Sequence, residues 1–232
     1  MQAVILAAGR GTRMGLLTEE TPKSLLQVDG KSLLEHKLDA LPEEVDEVII
    51  VVGYLGGKIQ AHVGGSYRDM RILYEEQEIL DGTMGSLARA KELLSGRFLV
   101  MMGDDLYCRE DIESCLAIPD WVLLVQETEH MNQGGLVITD ESGGIVEIEE
   151  GNHRGKKGLI GTNLFVLDTR IFQYPMVAKS PGATEHGLPQ TVLAAAKESG
   201  IPLVPVKATF WFQVTDPGDL AKASEALKVR AG

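Results

Sequence analysis

The chain has few cysteines and lacks a long apolar run. Its 232 residues include two cysteines, Cys108 and Cys115, whose spacing matches neither a CxxC pair nor a zinc-ligand pattern. The most apolar stretches, 48–52 and 98–102, are far shorter than the roughly 18 to 20 residues of a membrane-spanning helix. No basic leader precedes the apolar run 3–8, so the start is not that of a secretory signal. These absences exclude a zinc–thiolate site and a transmembrane protein, and we expect a cytoplasmic one.

Positive charge is also scarce. The chain has 22 Lys and Arg residues against 34 Asp and Glu residues, a net charge of −12 and a pI of about 4.9. Such a field repels nucleic acids and anionic lipid surfaces, so we expect neither as a partner. An anionic substrate would need a local group of cations or a metal ion to hold it.

What remains is a globular composition, 44% hydrophobic, in which strand and helix patterns alternate. The periodicity predicts strands at 2–7, 47–52, 71–74 and 98–102, and helices at 32–41, 55–62 and 83–94. Ser32 is placed as the N-cap of the first helix, with Glu35 three residues later. Strands that alternate with helices imply crossovers, so we predict an α/β fold with a mostly parallel sheet covered on both faces.

The second half is richer in strands. The patterns predict helices at 111–116, 188–198 and 219–229, a hairpin of 136–139 with 145–148, and strands at 121–126, 159–167, 202–207 and 210–214. The polar segment 151–158 is predicted as an insertion loop. We predict one domain, 1–232, with a nucleotide-binding half at 1–125 and an acceptor-binding half at 126–232. A single domain with a β insertion is equally consistent with the sequence.

A glycine-rich turn follows the first predicted strand. Gly9 and Gly11 allow the backbone to approach a ligand closely, and loop N–H groups can bind phosphate oxygens. The turn is not GxGxxG and no GKS or GKT follows, which disfavours a dinucleotide oxidoreductase and a P-loop protein. Three cations lie on or near this loop, namely Arg10, Arg13 and Lys23, and arginine can bind pyrophosphate through paired N–H groups.

The whole string around this turn carries a family resemblance. Leu-Ala-Ala-Gly-x-Gly-Thr-Arg at 6–13, followed by Pro-Lys-Ser-Leu-Leu at 22–26, resembles the signature of sugar-1-phosphate nucleotidyltransferases, which make nucleotide-diphosphate sugars. The resemblance continues at 28–35 and 51–54 and covers most of the chain. It implies an enzyme with a GT-A-like, Rossmann-type three-layer α/β sandwich and a β-rich insertion on the acceptor side.

The resemblance also implies where the nucleotide is bound. A side-chain amide such as that of Gln77 can pair with a base edge, and Gly82 lets a base lie against the backbone. The implied nucleotide-binding residues are Ala8, Gly9, Gly11, Thr12, Gln77, Gly82 and Thr83. Arg13 is expected to neutralise the departing pyrophosphate, and Lys23 to bridge the α-phosphate and the acceptor phosphate.

A metal site is expected after the strand 98–102. Asp104 and Asp105 lie where open α/β sheets bind ligands, and carboxylate oxygens suit Mg²⁺. The resemblance assigns Asp104 as the Mg²⁺ ligand and leaves Asp105 as its indirect or solvated neighbour. The family's second metal-binding aspartate corresponds to Gln213, which removes one negative charge from the site.

The acceptor side departs from the family pattern. Glu147 is retained, but Ile148 stands where many members have a lysine that contacts the sugar phosphate. The predicted acceptor contacts are Glu147, Asn163, Lys156 and Lys157. The Ala-Ala-Gly form of the loop, with Gln77, favours UTP or CTP, and the acceptor is expected to be a sugar 1-phosphate. A cytidylyltransferase for phosphocholine or inositol phosphate, a silent nucleotide-binding regulatory subunit, and a homodimer stay open.

Overall fold

The apolar segments of the chain form strands, and the amphipathic segments between them form helices. The structure, a computed structural model, describes residues 1–231. In this range the strands are β1 (Gln2–Leu6), β2 (Gln27–Val28), β3 (Lys31–Ser32), β4 (Glu47–Val52), β5 (Ser66–Tyr67), β6 (Met70–Glu76), β7 (Arg97–Met102), β8 (Asp105–Tyr107), β9 (Trp121–Thr139), β10 (Ile145–Asp168), β11 (Leu203–Lys207) and β12 (Trp211–Gln213). The α-helices are α1 (Leu33–Ala40), α2 (Gly56–Val63), α3 (Thr83–Arg89), α4 (Arg109–Leu116), α5 (Leu188–Ser199) and α6 (Pro217–Ala231), and 3-10 helices lie at Thr12–Thr18, Lys23–Leu25, Lys91–Leu93 and Thr169–Gln173.

Eight of the described strands form one sheet in the order β11-β9-β10-β7-β1-β4-β6-β5. β1 runs parallel to β4 and β7, and β6 runs parallel to β4. β10 is antiparallel to β7 and β9, β11 pairs in parallel with β9, and β5 is antiparallel to β6. The predicted α/β fold with a mostly parallel sheet is therefore confirmed. Because β1, β4, β6 and β7 point the same way, the loops that follow them meet at one edge of the sheet.

Apolar side chains cover both faces of this sheet. Ala3 and Ile5 of β1 lie in the hydrophobic cluster on one face, and Val4 and Leu6 lie in the cluster on the other. A strand that is apolar on both sides is what a buried parallel sheet requires. Among the helices of residues 1–231, none has the length and hydropathy that crossing a bilayer requires.

Helix α1 begins with the predicted capping box. The Ser32 hydroxyl accepts a hydrogen bond from the Glu35 N–H at 3.1 Å, and the Glu35 carboxylate accepts one from the Ser32 N–H at 2.7 Å. These bonds satisfy two backbone donors that lack partners inside the helix. The helix predicted over 32–41 is confirmed, with one residue fewer at each end.

The predicted loop over 151–158 is wrong, because these residues lie within β10. β10 pairs with β9 through several register shifts, including one between Asn152 and Lys156. A polar composition is compatible with a strand that is solvated on one side, so hydrophilicity alone is not evidence for a loop.

The two predicted halves share one sheet. Residue 125 lies inside β9, so no break in secondary structure occurs there. The functional division into residues 1–125 and 126–232 stays a prediction, and Gly232 lies outside the described residues.

Candidate active site

A cleft of about 690 Å³ opens at the carboxyl edge of β1, β6 and β7. Ligands of open α/β sheets bind at this edge. The predicted site residues that line it are Ala8, Gly9, Gly11, Thr12, Arg13, Lys23, Gln77, Gly82, Thr83, Asp104, Asn163 and Gln213. The structure thus brings residues from both halves of the chain to one cavity.

Hydrogen bonds to neighbouring strands hold the start of the glycine-rich loop. The Ala7 N–H donates to the Val51 carbonyl at 2.8 Å, and the Gly103 N–H donates to the Leu6 carbonyl at 2.8 Å. A Cβ on Gly103 would lie 2.7 Å from that carbonyl oxygen, so glycine permits the close approach of the two loops.

Gly11 brings the loop against Lys23. Its φ is 65°, in the left-handed region that favours glycine, and a Cβ there would lie 2.9 Å from the Lys23 Cβ. The Thr18 hydroxyl donates to the Gly11 carbonyl at 3.0 Å and closes the helix Thr12–Thr18 onto the loop. Arg13 of this helix is exposed and makes no ion pair within residues 1–231. Its guanidinium is therefore open to a bound phosphate.

Arg10 is separated from the other two cations. It does not line the cleft, and its guanidinium lies 5.7 Å from the centre of the Tyr54 ring. This is a cation–π contact at the surface. The predicted group of three loop cations therefore reduces to Arg13 and Lys23 at the cleft.

Lys23 and Asp104 form an ion pair across the cleft floor. The Lys23 Nζ lies 2.5 Å from Oδ2 of Asp104, and both side chains are largely buried. Within the described residues, the second carboxylate oxygen of Asp104 accepts no hydrogen bond. That oxygen can take a further cation.

The short ribbon of β8 and β12 brings Gln213 to this place. β12 pairs antiparallel with β8, with Gln213 opposite Asp105, and the Val214 N–H donates to the Asp104 carbonyl at 3.3 Å. Gln213 is exposed and lines the cleft, so its amide oxygen is a second candidate ligand.

These donors fit Mg²⁺ better than a metal with a full protein shell. In the part of the chain that the structure describes, no three His, Cys, Asp or Glu side chains are grouped as a metal site. Mg²⁺ usually keeps several waters and takes one or two protein oxygens together with substrate phosphates. Asp104 and Gln213 offer that number of ligands.

Asp105 is fully buried, which excludes the solvated position considered from the sequence. Its Oδ2 accepts hydrogen bonds from the Tyr107 hydroxyl at 3.1 Å and from the Trp211 indole N–H at 3.2 Å. Burial, with the neighbouring charge of Asp104, raises the pKa of Asp105. Burial also lowers the pKa of Lys37, which is enclosed in α1 behind the site. Asp105 therefore holds β12 through Trp211 rather than facing the cleft.

Gln77 directly follows β6, and hydrogen bonds fix the position of its side-chain amide. Its side chain is buried, and its Nε2 donates to Asp81 Oδ1 at 2.7 Å and to the Gly82 carbonyl at 3.2 Å. Helix α3 follows, with Gly82 as its N-cap residue, and the Thr83 hydroxyl accepts from the Leu188 N–H at 2.9 Å. The hydroxyl of Thr83 therefore links the two halves rather than capping α3.

A segment of the acceptor half lies directly on this loop. The His186 N–H donates to the Asp81 carbonyl at 2.7 Å, and the Met84 N–H donates to the His186 carbonyl at 3.0 Å. Gly82 has a φ of 98°, and a Cβ there would lie 2.3 Å from the His186 carbonyl oxygen. Glycine is therefore required at this contact.

Three predicted acceptor contacts do not reach the cleft. Ile148 and Glu150 line it, and because side chains alternate along a strand, Glu147 faces the other side. The ammonium of Lys157 pairs with Glu129 at 2.6 Å on the surface, and Lys156 is not among the lining residues. The structure therefore does not bring Glu147, Lys156 and Lys157 together with Asn163.

Lys179 is a cleft residue that sequence reasoning missed. It follows the isolated bridge between Ala178 and His186, and its Nζ lies 3.4 Å from the Glu185 carboxylate. No local motif marks it, and only its charge in an acidic chain could have drawn attention to it. Within residues 1–231, Arg13, Lys23 and Lys179 are the cations that line the cleft.

Comparison with known proteins agrees with this architecture. Residues 3–118, half of the chain, match the model of the MobA-like NTP transferase domain. The chain belongs to this family. The matched range contains the glycine-rich loop, Lys23, Gln77 and Asp104 of the NTP transferase domain.

Relatives extend the similarity along the whole NTP transferase chain. It is 29% identical over 227 residues to the bifunctional protein GlmU of Methanocaldococcus jannaschii, covering 98% of this chain and 54% of that protein. The chain therefore spans about half the length of that curated relative. It is 27% identical over 242 residues to the UTP–glucose-1-phosphate uridylyltransferase AglF of Haloferax volcanii, covering 98% of this chain and 97% of that protein. The inositol-1-phosphate CTP transferase of T. maritima shares the fold, with a TM-score of 0.77 at 21% identity over 98% of this chain and 94% of the other.

Proposed function

We propose that this domain transfers a nucleoside monophosphate from an NTP to a small phosphorylated acceptor and releases pyrophosphate. The observation that carries the proposal is the meeting of Arg13, Lys23, Asp104 and Gln213 in one cleft that Gln77 and Gly82 also line. UTP or CTP is the proposed nucleotide and a sugar 1-phosphate the proposed acceptor. We place the reaction in the cytoplasm, where NTPs are present.

Charge supports an anionic substrate in this cleft. The chain carries a net charge of −12, yet the cleft lining balances three cations from both halves against three carboxylates, Asp104, Glu150 and Glu185, and is therefore less acidic than the chain. Arg13 lies on the glycine-rich loop, where the β- and γ-phosphates of an NTP would lie. Lys179 lies on the acceptor side. We assign it to the acceptor phosphate, in place of the lysine that many family members have at the position of Ile148.

The proposed reaction is an in-line displacement at the α-phosphorus. An oxygen of the acceptor phosphate forms a bond to this phosphorus while the bond to the bridging oxygen of pyrophosphate breaks. Lys23 holds the α-phosphate and acceptor phosphate near each other, and Arg13 neutralises the charge of the leaving pyrophosphate. Catalysis of this kind depends mainly on positioning and charge stabilisation.

Mg²⁺ is the proposed cofactor, with Asp104 and Gln213 as its protein ligands. When bound, it would supply positive charge to the phosphate oxygens and help to orient them. The Lys23 ammonium already occupies one oxygen of Asp104, so the protein alone offers a weak site. We therefore expect Mg²⁺ to bind together with the nucleotide.

The test is pyrophosphate release with purified protein and Mg²⁺. UTP, CTP, dTTP, GTP and ATP are each combined with glucose 1-phosphate, inositol 1-phosphate and phosphocholine. The proposal expects release that requires both substrates and stops with EDTA. Release with phosphocholine or inositol 1-phosphate, but not with glucose 1-phosphate, would favour the alcohol-phosphate cytidylyltransferase. Nucleotide binding without release for any pair would favour the silent regulatory subunit, the alternative suggested by Gln213 and Ile148.

A further inference from the structure

The Gln77 amide can face the cleft in one orientation only. Its Nε2 has two hydrogen-bond partners, Asp81 Oδ1 and the Gly82 carbonyl oxygen, and both of these accept hydrogen bonds without donating. If the amide were rotated by 180°, its oxygen would face two other oxygens. The unrotated amide uses both of its N–H donors inside the protein. Its Oε1 accepts no hydrogen bond in the described part of the chain, and Gln77 lines the cleft.

Asp81, in turn, is held by its own surroundings. Its Oδ2 accepts a hydrogen bond from the Arg89 guanidinium at 3.0 Å, and its backbone is tied to His186. A Cβ on Gly85 would lie 2.1 Å from Asp81 Oδ1, so the carboxylate lies over the first turn of α3 where the missing side chain makes room. The carboxylate that orients Gln77 is therefore fixed before any ligand binds.

We propose that Asp81 is a specificity-determining residue: by locking Gln77 as a hydrogen-bond acceptor, it makes the site select a base with a protonated ring N3, uracil or thymine, over cytosine. The inference rests on the proposed function in so far as the cleft binds an NTP. It assigns to Asp81 a positioning role that acts through Gln77, without contact to the base.

The edges of the two pyrimidines explain the selection. Uracil presents N3–H between two carbonyl oxygens, so Gln77 Oε1 accepts from N3–H. The Gly82 N–H donates to no group among the described residues. It can then donate to one of the two uracil carbonyl oxygens that flank N3–H. Cytosine presents an unprotonated N3, which would face Oε1 as one acceptor against another. Cytosine would have to slide along its edge to offer its amino group, while the same loop holds its triphosphate.

The test measures nucleotide binding without an acceptor. Isothermal titration calorimetry with excess Mg²⁺ compares UTP, CTP and N3-methyl-UTP on the wild-type protein. A site whose buried polar group loses its partner rejects the analogue strongly, so we expect UTP to bind at least about 30-fold more tightly than the other two. Equal affinity for UTP and CTP would overturn the inference.

Asp81→Asn tests the positioning role. An Asn amide can present its NH₂ group to a rotated Gln77, so rotation then sets Gln77 Oε1 against one oxygen instead of two, the Gly82 carbonyl, whose bond to Nε2 is the longer at 3.2 Å. The UTP preference over CTP should fall by at least about fivefold, chiefly through tighter CTP binding. The matched control is Arg89→Gln, which removes the ion pair to Asp81 but keeps Asp81 Oδ1 beside Gln77, and should keep the preference. If Asp81→Asn does not fold, Asp81→Ser is used, since a hydroxyl also donates and accepts.

The possible results distinguish failure of this inference from failure of the proposed function. If Asp81→Asn keeps the full UTP preference, Asp81 does not orient Gln77 and the inference is wrong. If CTP binds as tightly as UTP while pyrophosphate release is observed, the inference fails and the proposed function stands. If UTP is selected but no acceptor yields pyrophosphate, the proposed reaction fails and the base selection stands.

Discussion

Two arginines that are three residues apart on the glycine-rich loop have different environments. Arg13 lines the cleft without an ion pair within residues 1–231, whereas Arg10 lies over the Tyr54 ring outside it. The sequence groups both among the cations of the loop, and the family resemblance gives a catalytic role to Arg13 alone. The path of the loop places Arg13 at the cleft and Arg10 at the surface.

Arg13→Ala is expected to lower kcat by roughly 100- to 1000-fold, because a cationic contact to the leaving pyrophosphate is worth about 3 to 4 kcal/mol in the transition state. The exposed side chain contributes little to folding, so Tm should change by less than about 2 °C. Pyrophosphate release and thermal unfolding are measured on the same preparation. Arg10→Ala is the matched control and should stay within about threefold of wild type. Equal losses in both variants would mean that the loop acts through general charge instead.

At the scale of secondary-structure elements, the capping box of α1 gives a pH dependence with a definite sign. Hydrogen bonds from the side chain and backbone of Ser32 hold the pKa of Glu35 below its ordinary value of 4.5. The ionised form is therefore favoured in the folded state. Its contribution to stability is present above pH 4.5 and is lost as the pH falls through the folded-state pKa.

Glu35→Gln should therefore destabilise the protein by about 0.5 to 1 kcal/mol at pH 7, and the difference from wild type should shrink as the pH falls below 4.5. Urea unfolding at several pH values measures it. Glu43→Gln is the control, since Glu43 is exposed and has no hydrogen-bond partner in the described residues. A pH-independent difference would show that Glu35 contributes through packing alone.

The β8–β12 ribbon places the neutral amide of Gln213 where the sugar-1-phosphate nucleotidyltransferases that the chain resembles have a carboxylate. If Gln213 ligates Mg²⁺, Gln213→Asp should lower the Mg²⁺ concentration for half-maximal pyrophosphate release by about tenfold. Substitutions around metal sites typically change metal affinity by at least this factor. Gln213→Glu keeps the side-chain length and controls for geometry. No shift in either variant means that Gln213 is not a ligand. An inert wild type with an active acidic variant would support the regulatory-subunit alternative.

At the scale of the whole molecule, the two halves meet through backbone contacts at the loop that precedes α3. The segment that carries Lys179 is fastened to Asp81 and Met84, on either side of Gly82, by backbone hydrogen bonds of His186, so the acceptor side and the nucleotide side of the cleft are joined at this point. This junction holds the segment that carries Lys179 beside the nucleotide side of the cleft before substrates arrive.

Gly82→Ala should weaken this junction, because the new Cβ would meet the His186 carbonyl and because a φ of 98° strains any residue but glycine. We expect a loss of about 2 kcal/mol in unfolding free energy, or a Tm lower by about 4 to 8 °C. Gly57→Ala is the matched control. Gly57 lies in α2 with open space around it, so alanine there should raise stability by about 0.5 to 1 kcal/mol. Shifts of the same sign in both variants would contradict the proposed role of the junction.

The sequence by itself determined the features that depend on neighbours along the chain. The apolar run 2–7 predicted β1, Ser32 and Glu35 predicted the start of α1, and the glycine-rich turn predicted a loop at the carboxyl edge of the sheet. These follow from local periodicity and capping chemistry, which need no knowledge of distant contacts. Placing Asp104 at that edge succeeded for the same reason.

Only the tertiary structure decided which side chains share the cleft. Strand register turned Glu147 away and Ile148 inward, and a bridge far along the chain brought Lys179 to the acceptor side. Asp105 gained a hydrogen-bond donor in Trp211, 106 residues later in the chain. Asp81 acquired its hold on Gln77 because the glycine at position 85 leaves room for its carboxylate. Such outcomes depend on register and packing between distant segments, which local sequence patterns do not encode.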